Sequence, residues 1–155
     1  MTSEKFSLSE LEPVMLEVID SGSEFVMRTH GISMTPMLSD GHDEVVLVKP
    51  MGRQKKYDVA LFKRADGQFI LHRVVGEDSD GYIFRGDNQI INEHGVTDNM
   101  IIAVMTAYVK NGRRIEIADA EYKRYLKTVK PRYTKKRIRQ LLSRAYRSIF
   151  PKKAP

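Results

Sequence analysis

The feature that most constrains the fold of this sequence is a series of short apolar segments separated by turn-forming dipeptides. Three of these dipeptides, Asp66-Gly67, Asp80-Gly81 and Asn111-Gly112, favour tight hairpin turns because their residues tolerate positive φ angles. About six such segments lie between residues 24 and 118, and no helical pattern lies between them. Parallel βαβ units are therefore excluded. The sequence predicts a mainly β fold, with an antiparallel sheet that coils on itself or packs as two layers.

Helical patterns flank this β region on both sides. Residues 7–20 repeat apolar side chains at helical spacing, and Ser7 or Ser9 can cap the helix. After residue 119 the sequence is again helical, and we expect Pro131 to divide it. We therefore predict an N-terminal helix packed on the body (residues 1–23), a β domain (24–118) and a basic helical appendage (119–155).

Charge is distributed very unevenly between the body and this appendage. Residues 1–120 hold 13 Lys+Arg and 19 Asp+Glu, a net charge of −6, whereas residues 121–155 hold 13 Lys+Arg and one acid, a net charge of +12. Residues 133–150 form an amphipathic basic helix, which either packs its apolar face on the body or makes peripheral contact with an anionic membrane. Nucleic-acid binding is not expected, because no recognition motif accompanies the charge.

Other features of the sequence limit its location and its cofactors. Residues 1–10 are polar and do not resemble a secretory signal, and the longest near-apolar run, residues 100–109, is about half the ~20 residues that a membrane-spanning helix needs. We therefore expect a cytoplasmic protein. The chain has no cysteine, which excludes disulfides and thiolate metal sites, and nothing in it predicts a cofactor or a metal.

Several residues could carry chemistry. Ser33 lies in a turn between Gly31 and Pro36, where a rigid backbone could present its hydroxyl as a nucleophile. His72 interrupts an apolar strand, and its side chain suits a general base near neutral pH. An acid that orients the imidazole could be Asp87, in Gly86-Asp87-Asn88, or Asp98. Each residue also has an ordinary structural explanation, as a turn serine, a core histidine or a turn aspartate.

Taken in order, five segments resemble the conserved blocks of type I signal peptidases and of the related LexA-type self-cleaving proteins. The resemblance covers about residues 24–110 and lies in Gly31-Ile32-Ser33-Met34-Thr35-Pro36, residues 41–48, residues 57–62, His72-Arg73-Val74-Val75 and Gly86-Asp87-Asn88. It implies a coiled, mostly antiparallel β fold, which agrees with the strand pattern.

The resemblance also implies roles for individual residues. Ser33 matches the nucleophile, and His72 matches the general base, which is lysine in bacterial signal peptidases and histidine in another branch of the superfamily. Asp87 matches the aspartate of the Gly-Asp-Asn block, and Asp98 a second aspartate downstream. The backbone N–H of Ser33 would stabilise the oxyanion, with Gly31 and Met34 beside the substrate. The implied activity is serine endopeptidase cleavage of an extended peptide or protein segment, such as a leader or signal sequence.

The sequence also departs from both groups. Nothing in it predicts a membrane anchor of the signal-peptidase kind, and with roughly 30 residues before Ser33 we do not expect the helix-turn-helix domain of a LexA-type protein. Two alternatives therefore remain open beside a peptidase. One is a non-catalytic peptide-binding or regulatory module on the same fold, and the other is a DNA-linked regulator, which only the basic tail favours.

Overall fold

The computed structural model describes residues 7–149, and residues 1–6 and 150–155, at the ends of the predicted N-terminal and C-terminal parts, lie outside the described range. The elements, in chain order, are α1 (Leu8–Asp20), β1 (Phe25–Arg28), β2 (Glu44–Val48), β3 (Val59–Lys63), β4 (Phe69–Asp78), β5 (Gly81–Arg85), β6 (Glu93–Val96), a 3-10 turn (Asp98–Met100), β7 (Ile101–Lys110), β8 (Arg113–Glu116) and α2 (Ala120–Ile149).

The strands form one antiparallel sheet. Its order is β1-β2-β7-β3-β4-β5-β6, with β8 paired to β7. Register shifts interrupt several of the pairings, including β2–β7 at Val46/Leu47 and β4–β5 between Val74 and Gly76. Such irregularities bend and twist a sheet, so this sheet can enclose apolar side chains on both faces. The mainly antiparallel β architecture with a helix at each end confirms that part of the prediction.

The sheet separates two apolar clusters. The larger cluster includes Met15 and Ile19 of α1, Leu61 of β3 and Tyr122 of α2. The smaller cluster is centred on Phe62, Tyr82 and Phe84. Both helices are therefore attached to the β body through buried side chains, and α1 begins with a capping box between Ser7 and Glu10.

Two features differ from the sequence prediction. Residues 88–98 follow a predicted strand that ends at residue 87, and the sequence predicts a loop there. The structure instead forms strand β6 within them, at the edge of the sheet, where an ion pair between Glu93 and Arg64 supports it. The second difference is that Pro131 lies inside α2 without ending it. Contacts with the body hold the helix on both sides of this proline, through buried Val129 and through Tyr133, whose ring lies 3.5 Å from the Arg85 guanidinium.

Within residues 7–149, no helix combines the length and the apolar character that crossing a bilayer requires. Helix α2 is long enough, but basic side chains occur throughout its length.

Candidate active site

Ser33 lies in a turn that a backbone hydrogen bond holds before the serine and a buried side chain holds after it. Gly31 adopts a φ of +91°, which a side chain would disfavour, and its N–H donates to Asp40 Oδ1 at 2.8 Å. Next to Ser33, Met34 is buried in the larger apolar cluster. Ser33 itself is half-buried. The turn is thus fixed to the core while the serine side chain stays accessible.

His72 lies on β4, paired with Ala60 of β3. Only 5% of the residue is exposed, and its ring meets Phe62 edge to face at 6.4 Å between centroids. Burial lowers the pKa of His72 from 6.5 to about 4, with smaller and opposing effects from Glu93 and Arg64. The imidazole is therefore neutral at neutral pH, as a general base must be.

Ser33 and His72 come together at Gly86. A Cβ at residue 86 would lie 3.0 Å from Ser33 Cβ, 3.0 Å from His72 Nε2 and only 2.7 Å from the Ser33 carbonyl oxygen. Glycine is therefore the residue that lets this strand end approach the serine and the histidine so closely. The serine and the imidazole are not hydrogen-bonded to each other in this structure, an arrangement that is common in free enzymes and tightens when substrate binds.

Asp87 is paired with Arg73 and does not contact the imidazole of His72. Arg73 Nε and Nη2 donate to Asp87 Oδ1 and Oδ2, both at 2.7 Å, and the two side chains are almost fully buried. His72 Nδ1 is buried with no hydrogen-bond partner. The prediction that Asp87 orients the imidazole directly is therefore not what the structure shows. A bidentate arginine already occupies both carboxylate oxygens, and Asp87 acts on His72 only through its charge.

Asp98 is placed elsewhere as well. Its Oδ1 accepts a 2.5 Å hydrogen bond from the Tyr82 hydroxyl, and its Oδ2 lies 3.8 Å from Arg53. The structure therefore brings together Ser33 and His72 from the predicted set, and leaves both aspartates in other contacts.

Helix α2 holds the loop that follows Gly86. The Tyr125 hydroxyl donates to Asp87 Oδ2 at 2.8 Å, and Lys136 Nζ donates to the backbone oxygen of Asn88 and to its Oδ1 at 2.7 Å. Asn88 in turn donates its backbone N–H to the Ser33 carbonyl at 2.8 Å and its side-chain amide to the Ile32 carbonyl at 3.1 Å. A continuous series of hydrogen bonds therefore runs from α2 to the serine turn.

Ser33, His72, Gly31 and Met34 all line one cavity of about 680 Å³. Its walls are mainly apolar and come from α1 (Leu8, Leu11), β1 (Phe25, Val26, Met27) and the start of β4 (Phe69, Ile70, Leu71). This volume and lining are typical of small-molecule and peptide sites. Among residues 7–149, no group of three or more His, Cys, Asp or Glu side chains is arranged to hold a metal ion.

Backbone edges border this cavity on two sides. Strand β1 pairs only with β2 in the described sheet, and β5 pairs with β4 only from Arg73 onward, so the Phe69–His72 segment has a strand on one side alone. Backbone N–H and C=O groups on such edges can pair with an extended chain.

Sequence reasoning missed four residues that shape this site: Arg73, Tyr122, Tyr125 and Lys136. Tyr122 accepts a 2.8 Å hydrogen bond from Arg73, completing the buried network. The signal in the sequence was a pair of tyrosines one turn apart at the start of an otherwise basic helix, since a tyrosine can bury its ring and still bond through its hydroxyl.

Comparison of the chain with protein-family models, with curated proteins and with solved structures found no match.

Proposed function

We propose that this protein is a serine endopeptidase in which Ser33 is the nucleophile and His72 the general base. The observation that carries the proposal is the convergence of Ser33 and His72 Nε2 at Gly86, on the wall of an apolar cavity. The order of the sequence blocks, which resembles that of signal-peptidase and LexA-type proteins, supports it.

In the proposed reaction, Ser33 Oγ attacks a peptide carbonyl while His72 Nε2 takes up the hydroxyl proton. The Ser33 N–H stabilises the oxyanion of the tetrahedral intermediate. His72 then gives its proton to the leaving amine, and an acyl-enzyme ester remains on Ser33. A water molecule, deprotonated by His72, attacks this ester, and His72 returns that proton to Ser33 Oγ as the acid product leaves. Neither aspartate is needed at Nδ1, so the site operates as a Ser-His pair.

The substrate in this proposal is an extended segment of a peptide or protein. It would lie between β1 and the Phe69–His72 segment of β4 and pair with their backbone edges, while its apolar side chains enter the cavity. Main-chain pairing would place the scissile carbonyl beside Ser33, and the cavity would select the residues that precede it.

The test is cleavage of a diverse peptide library, with products identified by mass spectrometry. We expect wild-type protein to cleave a subset of peptides, and Ser33→Ala and His72→Ala to lose at least about a thousandfold in rate. Ser39→Ala, six residues after Ser33, and His42→Ala, an exposed histidine, are the matched controls and should cleave as wild type does. A library that is bound but never cleaved would overturn the peptidase and favour the peptide-binding module.

A further inference from the structure

The second half of α2 is largely exposed, although Lys136 near its start bonds to Asn88 of the body. Val129 is the last buried residue in the described chain, and residues 134–149 are all exposed apart from Gln140, which is half-buried. These 16 residues extend about 24 Å at the rise of an α-helix. A helix of that length is only marginally stable in water without a packing partner.

The exposed half of α2, residues 134–149, is amphipathic. Ile138, Leu141, Leu142 and Ile149 are each more than half exposed, and at 3.6 residues per turn they fall on one side of the helix. The opposite side is basic, with Lys136, Arg137, Arg139, Arg144 and Arg147. Residues 134–149 contain six Lys+Arg, and no acid follows Glu121 in the sequence.

The way α2 docks turns the apolar stripe (Ile138, Leu141, Leu142 and Ile149) away from the body. The residues that contact the body, Tyr122, Tyr125, Val129, Tyr133 and Lys136, share a face that lies roughly opposite the stripe at helical periodicity. Rotating the helix to bury the stripe would break the Tyr125–Asp87 and Lys136–Asn88 bonds. The body therefore cannot cover the stripe while α2 holds the site loop.

Charge and apolar surface together identify the partner. A second copy of the helix would bury the stripe but bring six like charges against six. A nucleic acid would match the charges but leave the leucines and isoleucines exposed. An anionic bilayer satisfies both, because the stripe enters the acyl boundary while lysines and arginines meet lipid phosphates.

We infer that residues 134–149 form an interfacial helix that binds the surface of an anionic lipid bilayer, with the Ile138/Leu141/Leu142/Ile149 stripe inserted. This inference is independent of the catalytic proposal, since none of these four residues contacts the site.

The test is co-sedimentation of the full chain with vesicles of phosphatidylcholine, alone or mixed equally with phosphatidylglycerol. We expect wild-type protein to bind the mixed vesicles and to bind pure phosphatidylcholine roughly tenfold or more weakly. Leu141→Ser/Leu142→Ser keeps the charge and should weaken binding roughly tenfold or more. Arg144→Gln/Arg147→Gln should weaken it about twenty-fivefold, at about fivefold per charge. The matched control, Met51→Ser/Ile117→Ser, removes two exposed apolar side chains outside the helix and should bind as wild type.

Three results would overturn the inference. The first is equal binding to both vesicle types, and the second is unchanged binding by the Leu141→Ser/Leu142→Ser variant. The third is no vesicle binding. Tight binding of a single-stranded RNA 30-mer would then assign the helix to nucleic acid, and a dimer that the leucine variant dissociates would assign it to a second copy. Circular dichroism and thermal melts of every variant check the fold, which these exposed positions should leave intact.

Discussion

Gly86 is the residue on which the geometry of the candidate site depends most closely. A Cβ at residue 86 would lie 2.7 Å from the Ser33 carbonyl oxygen. This oxygen belongs to the backbone, so it cannot move aside as the end of a flexible side chain could. The Ser33 turn and the His72 ring can therefore lie this close to residue 86 because glycine has no side chain. Asp87, the next residue, contributes through its buried pair with Arg73, which anchors the same strand end.

Gly86→Ala should therefore displace Ser33 relative to His72. We expect peptide cleavage to fall about a hundredfold, since displacements near 1 Å at a reacting group have effects of that size. Gly76→Ala is the matched control, because its Cβ would meet Ile83 Cδ1 at an ordinary 3.7 Å. Cleavage rates of the two variants on one peptide check this, and equal rates would show that the close approach at Gly86 is irrelevant to activity.

The buried His72 should make stability depend on pH. Its pKa is about 4 in the folded chain, against an ordinary 6.5 when unfolded. Below pH 6.5 the unfolded chain therefore binds a proton that the folded chain does not take up until about pH 4. Neutral His72 therefore makes its full contribution to the free energy of unfolding above pH 6.5. As pH falls from 6.5 towards 4, the free energy of unfolding decreases by on the order of 3 kcal/mol.

Denaturant unfolding of wild type and His72→Gln between pH 4 and pH 8 measures this. The difference in free energy of unfolding between the two proteins should shrink as pH falls from 6.5 to 4 and stay constant above 6.5. A difference that does not vary with pH would mean that His72 titrates normally and is not desolvated.

Helix α2 has two parts with different relations to the body. Its first half is docked through Tyr122, Tyr125 and Val129, and Lys136 reaches back to Asn88, which holds the Ser33 turn. Its second half presents the apolar stripe to the surroundings. One continuous helix therefore connects the site loop with an exposed amphipathic surface.

Lys136→Met should loosen the Asn88 loop and lower turnover of a cleaved peptide. We expect kcat to fall by up to roughly tenfold, less than for Gly86→Ala, because Asn88 keeps its own bonds to the serine turn. KM should change little, since Lys136 does not line the cavity. Lys135→Met, one residue away on another face of the helix, is the control. A raised KM with normal kcat would instead place Lys136 in substrate binding.

The sequence predicted an element well where residues within that element specify it, and poorly where contacts with distant parts of the chain do. Hairpin dipeptides, apolar runs, the capping serine of α1 and the Gly31/Pro36 pair are local, and they predicted most strands, the start of α1 and the Ser33 turn. Strand β6 has a weak pattern of its own, Glu93–Val96, and owes its place to pairing with β5 and to the Arg64–Glu93 ion pair. The continuity of α2 through Pro131 depends on contacts made elsewhere in the chain.

The same distinction applies to the site. Ser33 and His72 were identified from sequence blocks, and the structure brings them together at Gly86. The partner of Asp87 could not be predicted, because Arg73 and Tyr125 lie 14 and 38 residues away along the chain. The sequence predicts that the Asp87 carboxylate orients the imidazole, whereas in the structure it accepts hydrogen bonds from the Arg73 guanidinium and the Tyr125 hydroxyl.

At the scale of the whole molecule, the sheet supports a cavity with the candidate pair on its wall, and α2 closes over the loop behind that pair. The acidic body and the basic helix meet near Asn88, where Lys136 bridges them. This arrangement accounts for the divided charge of the sequence. In our two proposals, the body carries out peptide hydrolysis and the distal helix binds an anionic surface.

The most direct test of the central claim is to look for an acyl group on Ser33. A peptide ester based on a cleaved library peptide should acylate the enzyme faster than water removes the acyl group. Intact-protein mass spectrometry after acid quenching, followed by peptide mapping, should find the acyl mass on Ser33 in wild type, far less in His72→Ala and none in Ser33→Ala. An adduct of equal yield in Ser33→Ala, or one mapped to another residue, would contradict the account.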